Sequence, residues 1–352
     1  INITGMDRRG CQMIYFGKYL KDYLEFHNIS QSEFALRMGI TQKHINELLN
    51  GKANITLEMA ANIERLTGID SSFIINVENT KKLKEGILDQ YGDIKNVKKV
   101  LSEEYCINEL KKISWVNFRD ETDSLQMCID ILDFLKIKDF SVLSKLEEQV
   151  LFKKTGNNFN KLALWIAHCD EVVKEQVVSD YNSYNLLFLV KDLKDYAYSN
   201  GINVEEIMKI LNSYGIYFAV EKAITGTKVR GCFKVKGKKP AIYITDNYAG
   251  KDSFFFELFH ELGHCKSDYN EGKSKVIIDG SEEKEKKADD FALKMMIDDD
   301  VWKQILEANL NEKSIKEISE KNKIPMSFIV GRLAKNKNIS YTNKLYREYY
   351  QK

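Results

Sequence analysis

His260 and His264 stand four residues apart in the run Phe256-Glu257-Leu258-Phe259-His260-Glu261-Leu262-Gly263-His264. On a helix this spacing sets the two side chains one turn apart on the same face. Two neutral imidazoles so placed can grip one Zn²⁺, and Glu261 between them points towards the water that such an ion activates. A catalytic zinc takes three protein ligands and leaves one position for water, so a third ligand must come from elsewhere in the chain.

The acidic run Ser281 to Met296 can supply it. Its apolar residues Ala288, Phe291, Ala292, Met295 and Met296 keep a helical period. Glu285 and Asp289 are four apart on one face of that helix, so Glu285 can bind the metal while Asp289 steadies a ligand from behind. Glu282, one turn before Glu285, stays open as an alternative. Cys265 follows His264 directly, but a neighbour in sequence points about 100° away around a helix and is a poor ligand.

These residues carry a resemblance. His-Glu-Leu-Gly-His followed by Glu285-x-x-Ala288-Asp289-x-Phe291-Ala292 is similar to the ImmA/IrrE family of zinc metallopeptidases, of the gluzincin-like class. The resemblance implies Zn²⁺ as cofactor, with His260, His264 and Glu285 as ligands and Glu261 as general base of an endopeptidase. The chain departs from the family after the second helix. Many members read Leu-Leu-Met-Pro where Met295-Met296-Ile297-Asp298 stand here, which leaves the end of that helix open.

Near the N-terminus the punctuation is that of short helices. Ser30 and Glu33 are spaced as a capping box, Phe34, Ala35 and Met38 follow at helical intervals, and Gly39 suits a left-handed stop. Thr41 then caps a helix with Ile45, Leu48 and Leu49 on its buried side and Gln42, Lys43, His44 and Asn46 outward. Two helices joined in this way form a helix-turn-helix, and those outward side chains are of types that read base edges in a major groove. The pattern resembles the XRE-type repressor domain, and within it the HigA-like antitoxins. The resemblance implies a homodimer that binds a palindromic operator.

Composition bounds the rest. The chain has 352 residues, room for two or three domains, with 43% hydrophobic and 30% charged residues, as in ordinary globular proteins. Net charge is +1, so any DNA contact must be local. Between Arg37 and Lys52, Arg37, Lys43 and Lys52 face only Glu47, a mildly positive balance. The six cysteines form no CxxC pair, which argues for reduced thiols, and there is neither a signal-like N-terminus nor an 18-residue apolar run. A cytoplasmic protein that spans no membrane is expected.

The expected fold is mainly α, with some β. Residues 1–15 form an irregular segment and 16–78 a five-helix helix-turn-helix domain. Residues 79–183 form a helical linker or scaffold, and 184–352 a metallopeptidase-like domain with a helical tail. Within the linker, Phe152-Lys153-Lys154 followed by Ala163-Leu164-Trp165-Ile166 looks like the connector of proteins that fuse these two domains. His168 reads as a structural histidine, and Arg332 as structural rather than as a carboxylate clamp. The β-rich runs 216–220, 229–235 and 241–244 are expected to form a small antiparallel sheet just before the metal-binding helix. The fusion implies a DNA-binding regulator whose zinc peptidase cleaves a protein partner, namely a repressor, an antitoxin or itself. The alternative is a non-proteolytic antitoxin or autorepressor whose peptidase-like domain senses a signal or binds a toxin.

Overall fold

The computed structural model describes residues 14–148, 150–151, 158–278 and 280–350. Residues 1–13, expected to be irregular, and the Phe152-Lys153-Lys154 part of the connector lie outside the described residues. The chain divides after Lys136 into two compact units.

The first unit is helical. Helices α1 (Phe16–Phe26), α2 (Gln31–Met38), α3 (Gln42–Leu49) and α4 (Leu57–Thr67) enclose a core with α5 (Ser71–Tyr91), in which Phe16, Leu20, Phe34, Ile45, Leu48, Ile63 and Ile74 are buried. The caps explain the short elements. Ser30 Oγ accepts the Glu33 N–H at 3.1 Å and Thr41 Oγ1 accepts the His44 N–H at 3.2 Å, each satisfying a donor that the helix start leaves over. Only half of the capping box forms, because the Glu33 carboxylate turns outward to Arg37 at 2.5 Å. Gly39 takes a φ of 69° and ends α2 as expected.

Helix α5 runs straight through the expected boundary at residue 78. Asp70 caps it through the Ser72 and Phe73 N–H groups, and it ends only at Gly92, whose φ of 85° suits glycine. The lysine-rich stretch that suggested a linker is partly interior. Lys84 Nζ meets Asp123 Oδ2 at 2.6 Å, and Lys81 Nζ donates to the Gly51 carbonyl at 2.9 Å. With α6 (Ile94–Glu103), α7 (Ile107–Ile113) and α8 (Ser124–Leu135), the second half of α5 closes the unit.

The second unit opens with α9 (Val142–Glu147), β1 (Val150–Leu151) and α10 (Phe159–Val172), followed by α11 (Leu186–Ser199) and α12 (Val204–Ser213). Strands β2 (Tyr217–Glu221), β3 (Gly231–Lys236) and β4 (Lys239–Thr245) lead to α13 (Lys251–Ser267). After it come α14 (Tyr269–Gly272), β5 (Val276–Ile277), α15 (Glu282–Met296), α16 (Asp299–Glu307), α17 (Glu312–Asn322), α18 (Met326–Lys335) and α19 (Lys344–Tyr349). The sheet order is β1-β5-β3-β4-β2.

The sheet is mixed rather than antiparallel. β3 and β4 form a hairpin through Gly237, but β2 joins the far side of β4 in parallel, and β1 pairs with β5 in parallel. Helix α10 belongs with this sheet and not with a separate linker. Trp165 Nε1 donates to the Glu221 carbonyl at 3.3 Å, and Tyr243 Oη donates to Asp170 at 2.7 Å. His168 Nε2 lies 3.0 Å from Glu221 Oε2, the structural role its sequence setting suggests.

Helix α13 is covered nearly all round, and its buried residues include both an apolar set and the polar residues of the site. Phe254, Phe255, Leu258, Phe259 and Leu262 are buried in one core with Phe233 and Ile242 of the sheet and Phe328 of α18. Its N-terminus is closed by Ser253, whose Oγ accepts the Gly250 N–H at 2.9 Å. Helix α15 crosses α13 at Gly263, where a Cβ would stand 2.9 Å from Ala288 Cα. Two glycine- and alanine-sized residues thus bring the helix backbones together. Arg332 fixes the far end of α15. Its guanidinium donates to the Leu293 and Ile297 carbonyls at 3.3 and 3.2 Å and stacks 4.3 Å over Trp302. The helix left open by the sequence therefore ends at Met296, and Asp298 starts the next one by accepting the Asp300 N–H.

Gly263→Ala should separate α13 from α15, since the clash is with backbone and not with a mobile side-chain tip. A loss of about 1–3 kcal/mol is expected. It is read from the denaturation midpoint of the full chain.

Candidate metal centre and nucleic-acid interface

The crossing of α13 and α15 brings the sequence-selected residues of both helices to one point. His260 Nε2 lies 3.3 Å from Glu285 Oε2, His264 Nε2 lies 3.4 Å from Glu285 Oε1, and the two Nε2 atoms are 3.1 Å apart. One ligand atom from each of the three residues falls within 4.8 Å of the others, close enough to share one ion. Glu282 does not join this group and is exposed. Cys265 does not either: its buried Sγ lies 3.3 Å from Tyr181 Oη.

The opposite ring nitrogens are also occupied. His260 Nδ1 lies 2.9 Å from Asp289 Oδ1, as the spacing on α15 suggests, and His264 Nδ1 lies 2.8 Å from Asp268 Oδ2. A carboxylate behind each ring holds it in the tautomer that keeps Nε2 free to face the centre. Sequence reasoning missed Asp268. The signal was present, four residues beyond His264 on the same helical face, but α13 ends at Ser267 and Asp268 reads as a turn residue. Asp268 is itself steadied by the Ser267 hydroxyl at 2.8 Å and by Lys284 at 3.5 Å. Lys284 also contacts Glu271, tying the start of α15 to the segment after α13.

Glu261 sits on the sheet side of α13. It is almost fully buried, and its Oε2 has no hydrogen-bond partner among the described residues. Its close neighbour is β3 at Gly231, where a Cβ would lie 2.5 Å from Glu261 Oε1. Only a residue without a side chain lets the carboxylate occupy this place. Among the described residues β5 pairs with β3 at Phe233. A cavity of 280 Å³ opens beside Gly231, which lines it with Arg230, Phe256, Glu257, His260, Glu285 and Asp289 among others.

Charge in this centre is strongly coupled. Burial opposes protonation of His260, but the bonds to Asp289 and Glu285 outweigh it and push the imidazole up to about 11. His264 moves the same way: burial is again opposed, here by Glu285, Glu261 and Asp268. Glu285 goes far below the usual carboxylate range. Its burial is outweighed by the two imidazoles and by the Gly280 N–H that donates to it at 2.5 Å. Glu261 goes the other way, pushed up to about 8 by burial despite the imidazoles beside it.

In the first unit, α3 presents Gln42, Lys43 and Asn46 to solvent, and Lys43 is 86% exposed. His44 is half-buried, with Nδ1 3.7 Å from Glu47. Asn46 Oδ1 accepts from the Asn50 side chain at 2.9 Å, which orders it before any ligand arrives. Lys81, donating to the Gly51 carbonyl, braces the turn just after this helix.

A helix-turn-helix family model matches residues 20–74. That span covers α2, α3 and α4 with most of α1 and the start of α5. The N-terminal domain is a DNA-binding helix-turn-helix module. The match speaks for this segment and not for the rest of the chain. Comparison with curated proteins and with solved structures returns no match. Among the described residues, no helix is long and apolar enough to cross a membrane.

If α3 enters a major groove, Lys43 contributes charge and Asn46 contributes base contacts. Lys43→Ala should weaken binding to all duplexes and lower the salt slope by about one, while Asn46→Ala should cost roughly 1–3 kcal/mol on the preferred site only. Salt-dependent anisotropy titrations with upstream DNA distinguish the two effects, and unchanged affinity in the double variant contradicts this use of the helix.

Proposed function

We propose that this protein is a DNA-binding regulator of the XRE type carrying a zinc-dependent endopeptidase, which cleaves a protein partner or the chain itself. One observation supports the second half most: His260, His264 and Glu285 converge within 4.8 Å, with the buried Glu261 carboxylate, whose Oε2 has no hydrogen-bond partner among the described residues, next to them on α13. A purely structural metal site has no use for such a base. The donor set of two imidazoles and one carboxylate is that of a catalytic zinc with a water position open. The fit is supported by the carboxylates behind both rings, which leave the Nε2 atoms to the ion.

Zinc bound here would acidify a water and polarise a scissile carbonyl. The chain's own residues do the rest. The cavity beside Gly231 can receive an extended peptide and lay its carbonyl along the cleft. Glu261 takes the proton of the attacking water and returns it to the leaving amine. A carboxylate raised towards neutrality by burial suits a group that must both accept and donate. Asp289 and Asp268 keep the rings oriented throughout. On the DNA side, a homodimer reading two half-sites of a palindrome fits the single helix-turn-helix per chain.

Glu261→Gln is expected to keep zinc and operator binding while lowering cleavage of denatured casein, and self-cleavage, by roughly 10²–10⁴-fold. A variant that cleaves like the parent, or a zinc-loaded parent that leaves both substrates intact, sinks the enzyme reading. Metal uptake gives a second test. In the metal-free protein the raised His260 imidazole carries a proton at pH 7, and it must lose it to bind an ion. Zinc affinity should therefore rise with pH across the neutral range, with at least one proton released per ion. Calorimetry in two buffers of different ionisation enthalpy reads that number directly. Heats independent of buffer would contradict the assignment.

A further inference from the structure

We propose that Glu257 forms a subsite for a basic side chain, so that the cleft selects peptides with lysine or arginine next to the scissile bond; this rests on the peptidase reading above. Glu257 stands one turn before Glu261 on α13 and fronts the same piece of strand. The point above Gly231 that lies 2.5 Å from Glu261 Oε1 lies 3.1 Å from Glu257 Oε1. Glu257 lines the 280 Å³ cavity at the metal-binding residues and also a second cavity of 120 Å³. It thus stands where the two meet.

The second cavity has the make-up that a long cationic side chain needs. Ile244, Tyr248 and Ala249 give it apolar walls, and at its junction with the cleft Glu257 supplies a half-buried carboxylate beside the exposed Arg230, which lines both cavities as well. Lysine and arginine lay an aliphatic stem along such walls while the charged head reaches a carboxylate. Among the described residues no hydrogen bond or ion pair reaches Glu257. Burial pushes its carboxyl up, and His260 and then Arg230 lower the cost of its charge through space. Arg230 is exposed at the mouth, where water screens it, whereas Glu257 is half-buried. A charge-assisted hydrogen bond to Glu257 is the contact that discriminates.

The test uses the full-length, zinc-loaded protein and a peptide library varied at the residues flanking the cut, read by mass spectrometry. Cleavage should favour lysine or arginine at one flanking position over norleucine by roughly tenfold, with glutamate and aspartate excluded. Glu257→Gln should collapse the lysine-to-norleucine ratio towards one, and Glu257→Lys should shift the preference to acidic residues, with zinc content equal in all three proteins. A ratio that survives Glu257→Gln overturns the subsite. So does loss of zinc in that variant, which would make Glu257 part of the metal site. If the parent cleaves nothing, the peptidase reading fails, and binding then decides the subsite on its own. Fluorescent Ala-Ala-Phe-Lys-Ala-Ala should bind zinc-loaded Glu261→Gln protein roughly tenfold more tightly than its norleucine counterpart, and Glu257→Gln added to that protein should erase the difference. Equal binding of the two peptides overturns the proposal.

Discussion

The close crossing of α13 and α15 is the contact on which the centre depends. At Gly263 and Ala288 the two helices approach without intervening side chains, and three residues earlier on α15 that approach places the Glu285 carboxylate across from both imidazoles. Each other feature of the site holds this contact or exploits it. Arg332 closes the far end of α15, Lys284 ties its near end to Asp268 and Glu271, and the aromatic core under α13 keeps that helix from shifting. A wider crossing would leave two histidines edge to face with no third ligand, and an acidic helix with no reason to be near them.

The same economy of space explains Glu261. Burying a carboxylate oxygen without a partner is costly, and the fold accepts that cost at Glu261. Gly231 clears the room and the neighbouring imidazoles offset part of the charge. Such local conflicts with folding stability concentrate where chemistry is done. The unpartnered Glu257 one turn away belongs to the same strip of the cleft.

Much of this was legible in the chain because helical spacing converts directly into geometry. The four-residue interval of His260 and His264, and that of Glu285 and Asp289, required only that both segments be helical. Caps at Ser30, Thr41 and Gly39 marked the short helices of the DNA-binding domain almost residue by residue. What could not be read depended on partners distant in sequence. Asp268 lies just past a helix end, and its role appears only once His264 is placed against it. Lys81 and Lys84 look like solvated linker residues until Gly51 and Asp123 arrive to pair with them. The parallel pairing of β2 with β4 is a matter of chain crossover, which alternation of apolar residues does not encode. For the same reason α10 read as linker, although its contacts with Glu221 and Tyr243 make it one layer of the sheet domain.

Whether His260, His264 and Glu285 share one ion, as proposed, is read most directly by X-ray absorption at the zinc edge of the metal-loaded protein. The proposed zinc site predicts one zinc per chain, with two imidazole nitrogens and one carboxylate in its shell at about 2.0–2.2 Å, a water completing it, and no sulfur. A shell containing sulfur at about 2.3 Å, or one that keeps both imidazoles but is unchanged by Glu285→Ala, would contradict it.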